Sequence, residues 1–303
     1  MRDSRSSDGW ATEQSWRHGT VRASDVDLHY VTAGPVDGDL VLLLHGFPEF
    51  WYSWREQIPA LAEAGYRVVA PDLRGYNRSE KPGGVGAYGL DKLVADVVGL
   101  IRSFGHESAR VVGHDWGGVI AWQVATDRPD VVDRLVVLNA PHLSAYEREL
   151  RSSFSQILRS SYAFFFQLPW LPEWSLRRDD FAALEELFRD QPVRPDAFTD
   201  EEMARYKRAF ARPGTLTAAT NYYRALFRRM VRLTLTQGGV GDQRVDVPTL
   251  LLWGLRDQAL SPSLSEGLEQ WVPDLRVERY PDASHWVQFD ARERVNEALV
   301  GFL

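Results

Sequence analysis

The chain has 303 residues, of which 44% are hydrophobic and 25% charged, enough for one large globular domain or a core with an inserted subdomain. Its net charge of −7 argues against nucleic acid or an anionic membrane as the main partner, because both recruit basic surfaces. The absence of cysteine excludes disulfides, a thiolate nucleophile and cysteine metal ligands, and is compatible with a reducing cytoplasm.

The polar opening MRDSRSSDGWATEQSW has no apolar h-region and is not read as a secretory leader. Its first dozen residues are expected to be disordered or loosely attached. No run approaches 18 apolar residues, so no membrane span is expected. LVLLLH at 40–45 predicts a central strand that runs into the loop HGFPE. SWREQIPALAEAG then predicts a helix with a glycine stop. YRVVAPD at 66–72 predicts the next strand, followed by a loop dense in glycine, proline and charge. In LDKLVADVVGLIRSF (90–104) apolar residues recur every three or four positions, predicting a helix that ends just before Gly105. RVVGHD predicts a strand entering GHDWGG, GGVIAWQVATDRP a helix stopped before Pro129, and DRLVVLNAP (133–141) a further strand.

The alternation over 40–141 predicts an α/β fold, a mostly parallel sheet with helices on both faces. From Pro141 to about Arg232 the strand rhythm is lost, and segments such as FAALEELFRD and DEEMARYKRAFA are helical in pattern. It returns with strand VPTLLLWG (247–254), a helix LSEGLEQWV (264–272), strand RVERYP (276–281) and a C-terminal helix from about Ala291. The expected organisation is a core of residues 1–140 and 233–303, interrupted by a helical cap of residues 141–232. A cap inserted there roofs the C-terminal strand edge, where open parallel sheets bind ligands. The glycine-rich stretches 83–89 and 237–243 do not open a helix after a strand, so no dinucleotide site is read from them. No cofactor and no metal is expected.

Asp115 in GHDWGG, Asp257 in WGLRDQAL and His285 in PDASHWVQ each fall just beyond a predicted strand. Their order, nucleophile, acid, histidine, is that of elbow-type hydrolases. Any one of them alone is better explained as a loop charge or a structural hydrogen bond; all three in this order point to catalysis. A carboxylate nucleophile also selects the electrophile. Attack on an ester would give an energetic mixed anhydride, whereas attack on saturated carbon gives an ordinary ester once a leaving group departs. His45 is expected to be structural, His114 to face away from Asp115, and Glu49 to brace its loop or orient water. Asp72 is read as a loop brace with which Arg74 is able to pair. His18, His29, His106 and His142 have no assignable partners.

From about residue 25 onward the chain resembles an epoxide hydrolase of the α/β-hydrolase superfamily. HGFPE with WYSWR looks like that family's oxyanion loop, GHDWGG like its nucleophile motif, and WGLRDQAL and ASHWVQ like its acid and base motifs. The resemblance implies that Asp115 opens an epoxide to form a hydroxyalkyl ester. Water activated by His285, oriented by Asp257, then cleaves that ester to give a vicinal diol. It assigns the backbone N–H groups of Phe47 and Trp116 to the oxyanion hole and allows a cis Phe47–Pro48 bond. SYAFFFQLP (161–169) and NYYRAL (221–226) resemble the cap segments whose tyrosines hold the epoxide oxygen, which places that role on Tyr162 and Tyr223. Tyr222 stands where the family often has Trp or Phe. Pro48, Trp51, Phe165 and Trp286 are expected in the substrate pocket. The expected partners are a small apolar epoxide and water, with no nucleic acid, in a cytoplasmic setting; monomer and homodimer both stay open. A haloalkane or haloacid dehalogenase uses the same triad, and a non-catalytic relative would keep the same fold. Against the first, Phe47 fills the dehalogenases' Asn position after His-Gly, and Trp116 stands where fluoroacetate dehalogenases carry Arg.

Overall fold

Apolar runs too continuous to face solvent on either side build the middle of the sheet. The computed structural model describes residues 16–194 and 196–303; the expectation for the first dozen residues lies outside them. Eight strands form one sheet: β1 (Arg17–Arg22), β2 (Asp27–Ala33), β3 (Leu40–Leu44), β4 (Arg67–Pro71), β5 (Ala109–His114), β6 (Val132–Leu138), β7 (Thr249–Gly254) and β8 (Leu275–Tyr280). Their order is β1-β2-β4-β3-β5-β6-β7-β8. β2 runs antiparallel to β1 and β4, and all other pairs are parallel. Every residue of β3 and β7 is buried, as strands covered on both faces require. The β1–β2 hairpin was not anticipated. RHGTVR is largely exposed, and a half-solvated edge strand carries little hydrophobic signal.

Between the strands lie α1 (Gln57–Glu63), α2 (Leu90–Ser103) and α3 (Trp116–Asp127). The segment joining β6 to β7 is helical: α4 (Leu143–Ser152), α5 (Phe154–Arg159), α6 (Ser161–Phe165), α7 (Leu171–Asp190, broken at 178–181), α8 (Asp200–Phe210) and α9 (Thr215–Gln237). α10 (Val287–Asp290) and α11 (Arg292–Phe302) close the chain. Ile101 of α2 and Ile120 of α3 pack on one face of the sheet, Leu61 of α1 and Leu299 of α11 on the other. The architecture is therefore a mostly parallel sheet between helical layers with an inserted helical cap. Among the described residues no helix is long and apolar enough to cross a membrane.

The helix expected at 264–272 does not form. Pro262–Ser265 makes a single 3-10 turn, Glu266 is extended, and Gly267 adopts φ +63. Leu264, Leu268, Trp271 and Val272 are nevertheless buried. Their helix-like spacing reflects the packing of an irregular loop, which a glycine in the left-handed region keeps from winding up.

Candidate active site

β5 delivers the chain into α3 through Asp115, whose backbone lies at φ 49, ψ −119, a conformation that non-glycine residues rarely adopt. Close packing holds it there. A Cβ on Gly113 would overlap the Gly117 carbonyl, one on Gly117 the Leu44 carbonyl, and one on Gly46 the Asp115 side chain itself. Gly117→Ala is expected to melt several degrees lower in scanning calorimetry, because forcing a methyl against a packed carbonyl costs about 1–3 kcal/mol. An unchanged midpoint would show that the turn has room to relax.

Three loops meet at this turn. His285 Nδ1 donates to Asp257 Oδ2 at 2.7 Å, and its Nε2 lies 3.7 Å from Asp115 Oδ2. The N–H groups of Ala259 and Leu260 donate to Asp257 Oδ1 at 2.8 and 2.9 Å. The Phe47 N–H donates to Asp115 Oδ1 at 2.8 Å, and the Trp116 N–H bonds the same carboxylate. The Phe47–Pro48 peptide is cis. Burial pushes Asp115 above the ordinary carboxylate value, against the pull of His285, His114 and these two N–H groups. Burial also opposes charge on Asp257, but His285 and the hydrogen bonds prevail, and its carboxyl lies below the ordinary value. For His285 burial is outweighed by Asp257 first and Asp115 second, which push the imidazole up to about 9. At neutral pH His285 therefore keeps its proton, with Asp257 on one side and Asp115 on the other.

Over Asp115 and Trp116 lies a cavity of about 310 Å³. Tyr162 and Tyr223 enter it from the cap, their rings edge-to-face at 5.8 Å, and Tyr223 stands 5.0 Å from the Trp116 ring. Desolvation, then neighbouring groups that include the Asp115 carboxylate, hold both phenols well above the ordinary tyrosine value, although only Tyr223 is buried and 36% of the Tyr162 surface stays accessible, so both remain protonated donors. Tyr222 points elsewhere. Its buried hydroxyl donates to the Arg74 carbonyl at 2.7 Å and anchors α9 to the core.

Residues 39–292 match the α/β-hydrolase fold family. The chain belongs to that family. Within it the chain is closely related to the epoxide hydrolases. It is 38% identical to mouse epoxide hydrolase 4 over 288 residues, covering 93% of this chain and 78% of the relative. It is 41% identical to the Bacillus subtilis AB hydrolase superfamily protein YfhM, covering 93% and 96%. The solved Bacillus megaterium epoxide hydrolase in complex with an inhibitor superposes with a TM-score of 0.86 at 33% identity, covering 94% of this chain and 99% of that one.

Around the triad of this α/β hydrolase, several expectations need correction. The cavity wall carries Phe164 rather than Phe165 and does not include Pro48, Trp51 or Trp286. In the run Phe164–Phe165–Phe166 composition alone does not say which ring faces inward. Trp51 packs on Trp16 and His18 at a separate cavity. Trp286 packs edge-to-face on its neighbour His285 at 5.5 Å and lies 4.9 Å from the Phe188 ring, outside the cavity wall. Arg74 does not pair with Asp72, whose carboxylate is already occupied by His29, the Trp51 N–H and Asn77. It pairs with Asp96 and Asp25 instead. His142 finds the Gln243 carbonyl at 2.7 Å.

His45 is locked, with Nδ1 donating to the Gly46 carbonyl and Nε2 accepting from the Leu73 N–H. Glu49 accepts from the Gly46 N–H, from His114 Nδ1 at 2.9 Å and from Gln288. His114 Nε2 in turn donates to the His285 carbonyl at 2.9 Å. One buried chain of hydrogen bonds thus ties the 45–49 loop, the end of β5 and the histidine loop together. Sequence reasoning missed Asn139, whose amide donates to Asp257 Oδ2 at 2.8 Å and accepts from the Gly254 N–H. Its signal was an asparagine just beyond a strand, a residue type that tolerates its observed φ of 38.

Proposed function

We propose that the protein hydrolyses an epoxide to a vicinal diol through a covalent ester on Asp115. One observation carries this: a carboxylate, not a hydroxyl, occupies the turn, and two tyrosines face it across the cavity. Asp115 attacks a ring carbon, the C–O bond breaks, and its electron pair goes to the oxygen, which takes a proton from Tyr162 or Tyr223. Esterification removes the charge on Asp115. His285 then loses one of the two carboxylates that hold its proton, and gives that proton back to the tyrosine. The neutral imidazole, oriented by Asp257, deprotonates a water that attacks the ester carbonyl. The N–H groups of Phe47 and Trp116 hold the resulting oxyanion, an interaction worth ~3–4 kcal/mol per donor. As the intermediate collapses, the ester C–O bond breaks and the departing diol oxygen takes the proton from His285; the carboxylic acid left on Asp115 then passes its proton to the imidazole, which restores the carboxylate and the imidazolium.

Residues 1–140 and 233–303 supply the triad in this scheme, and the cap, 141–232, supplies the tyrosines. The substrate carries an apolar body. One face of α9 lines the cavity from Tyr223 through Phe227 and Val231 to Leu235, and exposure climbs along it from 8% to 38%, 43% and 81%. This trough runs roughly 18 Å from the tyrosine to open solvent at 1.5 Å per residue. A cytoplasmic setting fits the cysteine-free sequence.

The test is a single turnover in ¹⁸O-water with enzyme in excess over a terminal epoxide. The label is expected in the Asp115 peptide and not in the first diol released, because the diol oxygen comes from the carboxylate. Label appearing directly in that diol would mean that water, not Asp115, opens the ring. Halide release from haloalkanes without any diol formation from epoxides would favour the dehalogenase instead.

A further inference from the structure

A second cavity, also about 310 Å³, lies at the seam between the core and the α8 end of the cap, and shares no wall residue with the first. Four arginines line it: Arg78 from the loop after β4, Arg205 and Arg208 from α8, and Arg212 just beyond. No carboxylate appears among its described wall residues, although the chain as a whole carries −7. Arg205 is engaged, bonded to Glu201 at 3.0 Å and stacked 4.8 Å over the Tyr52 ring. Among the described residues Arg78, Arg208 and Arg212 make no ion pair; Arg212 Nε donates to the neutral Asn77 amide at 2.9 Å. The last turn of a helix favours a cation, which accounts for Arg208 but not for Arg78 and Arg212 meeting it on the same wall.

A buried relay ends at this wall and has no part in the hydrolytic site. Asp72, with no exposed surface, accepts from His29 Nδ1 at 2.7 Å. His29 Nε2 lies 3.0 Å from His18 Nδ1, and His18 lines the cavity. The carboxylate orients the His29 ring, and His29 in turn stacks on His18 at 5.2 Å between ring centroids. Asp72 also holds Asn77, and Asn77 holds Arg212, so the relay reaches from the core to the cap. Trp16, Phe50 and Trp51 give the same cavity an aromatic side.

We propose that this seam is a binding site for a small organic dianion, a phosphate monoester on a flat apolar body. The head sits among Arg78, Arg208, Arg212 and His18, and the body lies against Trp51 and Trp16. Guanidinium forks match phosphate oxygens in pairs, and three guanidiniums with no ion pair among the described residues call for more than one negative charge. Because the head is shared between core and cap residues, the bound ligand fastens α8 to the core.

The experiment is titration calorimetry on the full chain at constant ionic strength, with phenyl phosphate, inorganic phosphate, benzoate and chloride as probes, alongside thermal melts. Phenyl phosphate is expected to bind saturably, to raise the melting midpoint, and to bind more tightly than inorganic phosphate or benzoate. Arg208 and Arg212 are exposed, so the double variant Arg208→Gln/Arg212→Gln is expected to fold. It should bind phenyl phosphate at least tenfold more weakly while keeping wild-type diol formation. Tighter binding of benzoate than of phenyl phosphate would overturn the dianion assignment. No saturable heat beyond that of chloride, or equal binding by the double variant, would overturn the site.

Discussion

His285→Gln is expected to stop the enzyme after its first chemical step. Mixed with a terminal epoxide, the variant should gain the mass of one epoxide, located by peptide mapping on Asp115, while diol release falls by ~10²–10⁴ as general-base catalysis is lost. Alkylation survives because the nucleophile, its turn and the two tyrosines are intact; ester cleavage fails because no other base replaces the imidazole. The pH dependence follows from the same electrostatics. Burial already raises Asp115, and His285 is the largest influence that lowers it. Removing the imidazolium raises Asp115 further. Only the carboxylate attacks, so adduct formation in the variant should be lost, as pH falls, at a higher pH than single-turnover alkylation by the wild type. Undiminished diol turnover, or an adduct on another residue, would remove His285 or Asp115 from the roles given to them.

The parts of this site that were legible in the sequence are those whose chemistry is local. GHDWGG carries its own explanation: glycines where a Cβ would strike carbonyls, and a carboxylate at the point of the turn. The strands before Asp115 and Asp257 are buried apolar runs with a simple signature. What remained hidden depends on residues distant in the chain. Asn139 meets Asp257 across 118 positions, and His29 meets Asp72 across 43; neither pairing leaves a periodic trace. Side-chain direction was hidden for another reason. Tyr222 and Tyr223 are adjacent on one helix, about 100° apart around it. That rotation sends one hydroxyl to the Arg74 carbonyl and leaves the other on the cavity. The resemblance to epoxide hydrolases, rather than periodicity, singled out Tyr223. For Phe164 and Phe165 neither source distinguished the two.

The double variant Tyr162→Phe/Tyr223→Phe is expected to lose ring opening and keep ester cleavage. Each phenylalanine preserves the ring and hence the edge-to-face contacts at 5.8 and 5.0 Å, so circular dichroism and binding of an apolar ligand should be unchanged. The hydroxyls are what is lost. In the wild type both stay protonated far into alkaline pH, so a proton is always available as the C–O bond breaks. Without either, an alkoxide must form in an apolar cavity, and the alkylation rate should fall by at least ~10²–10⁴. Each single variant should fall less, because the remaining tyrosine still faces the oxygen. The two failures are distinguishable by mass. Any ester that the double variant does form is cleaved normally by His285, so no adduct accumulates, in contrast to His285→Gln. Diol formation by the double variant within tenfold of the wild type would show that the epoxide oxygen receives its proton from elsewhere.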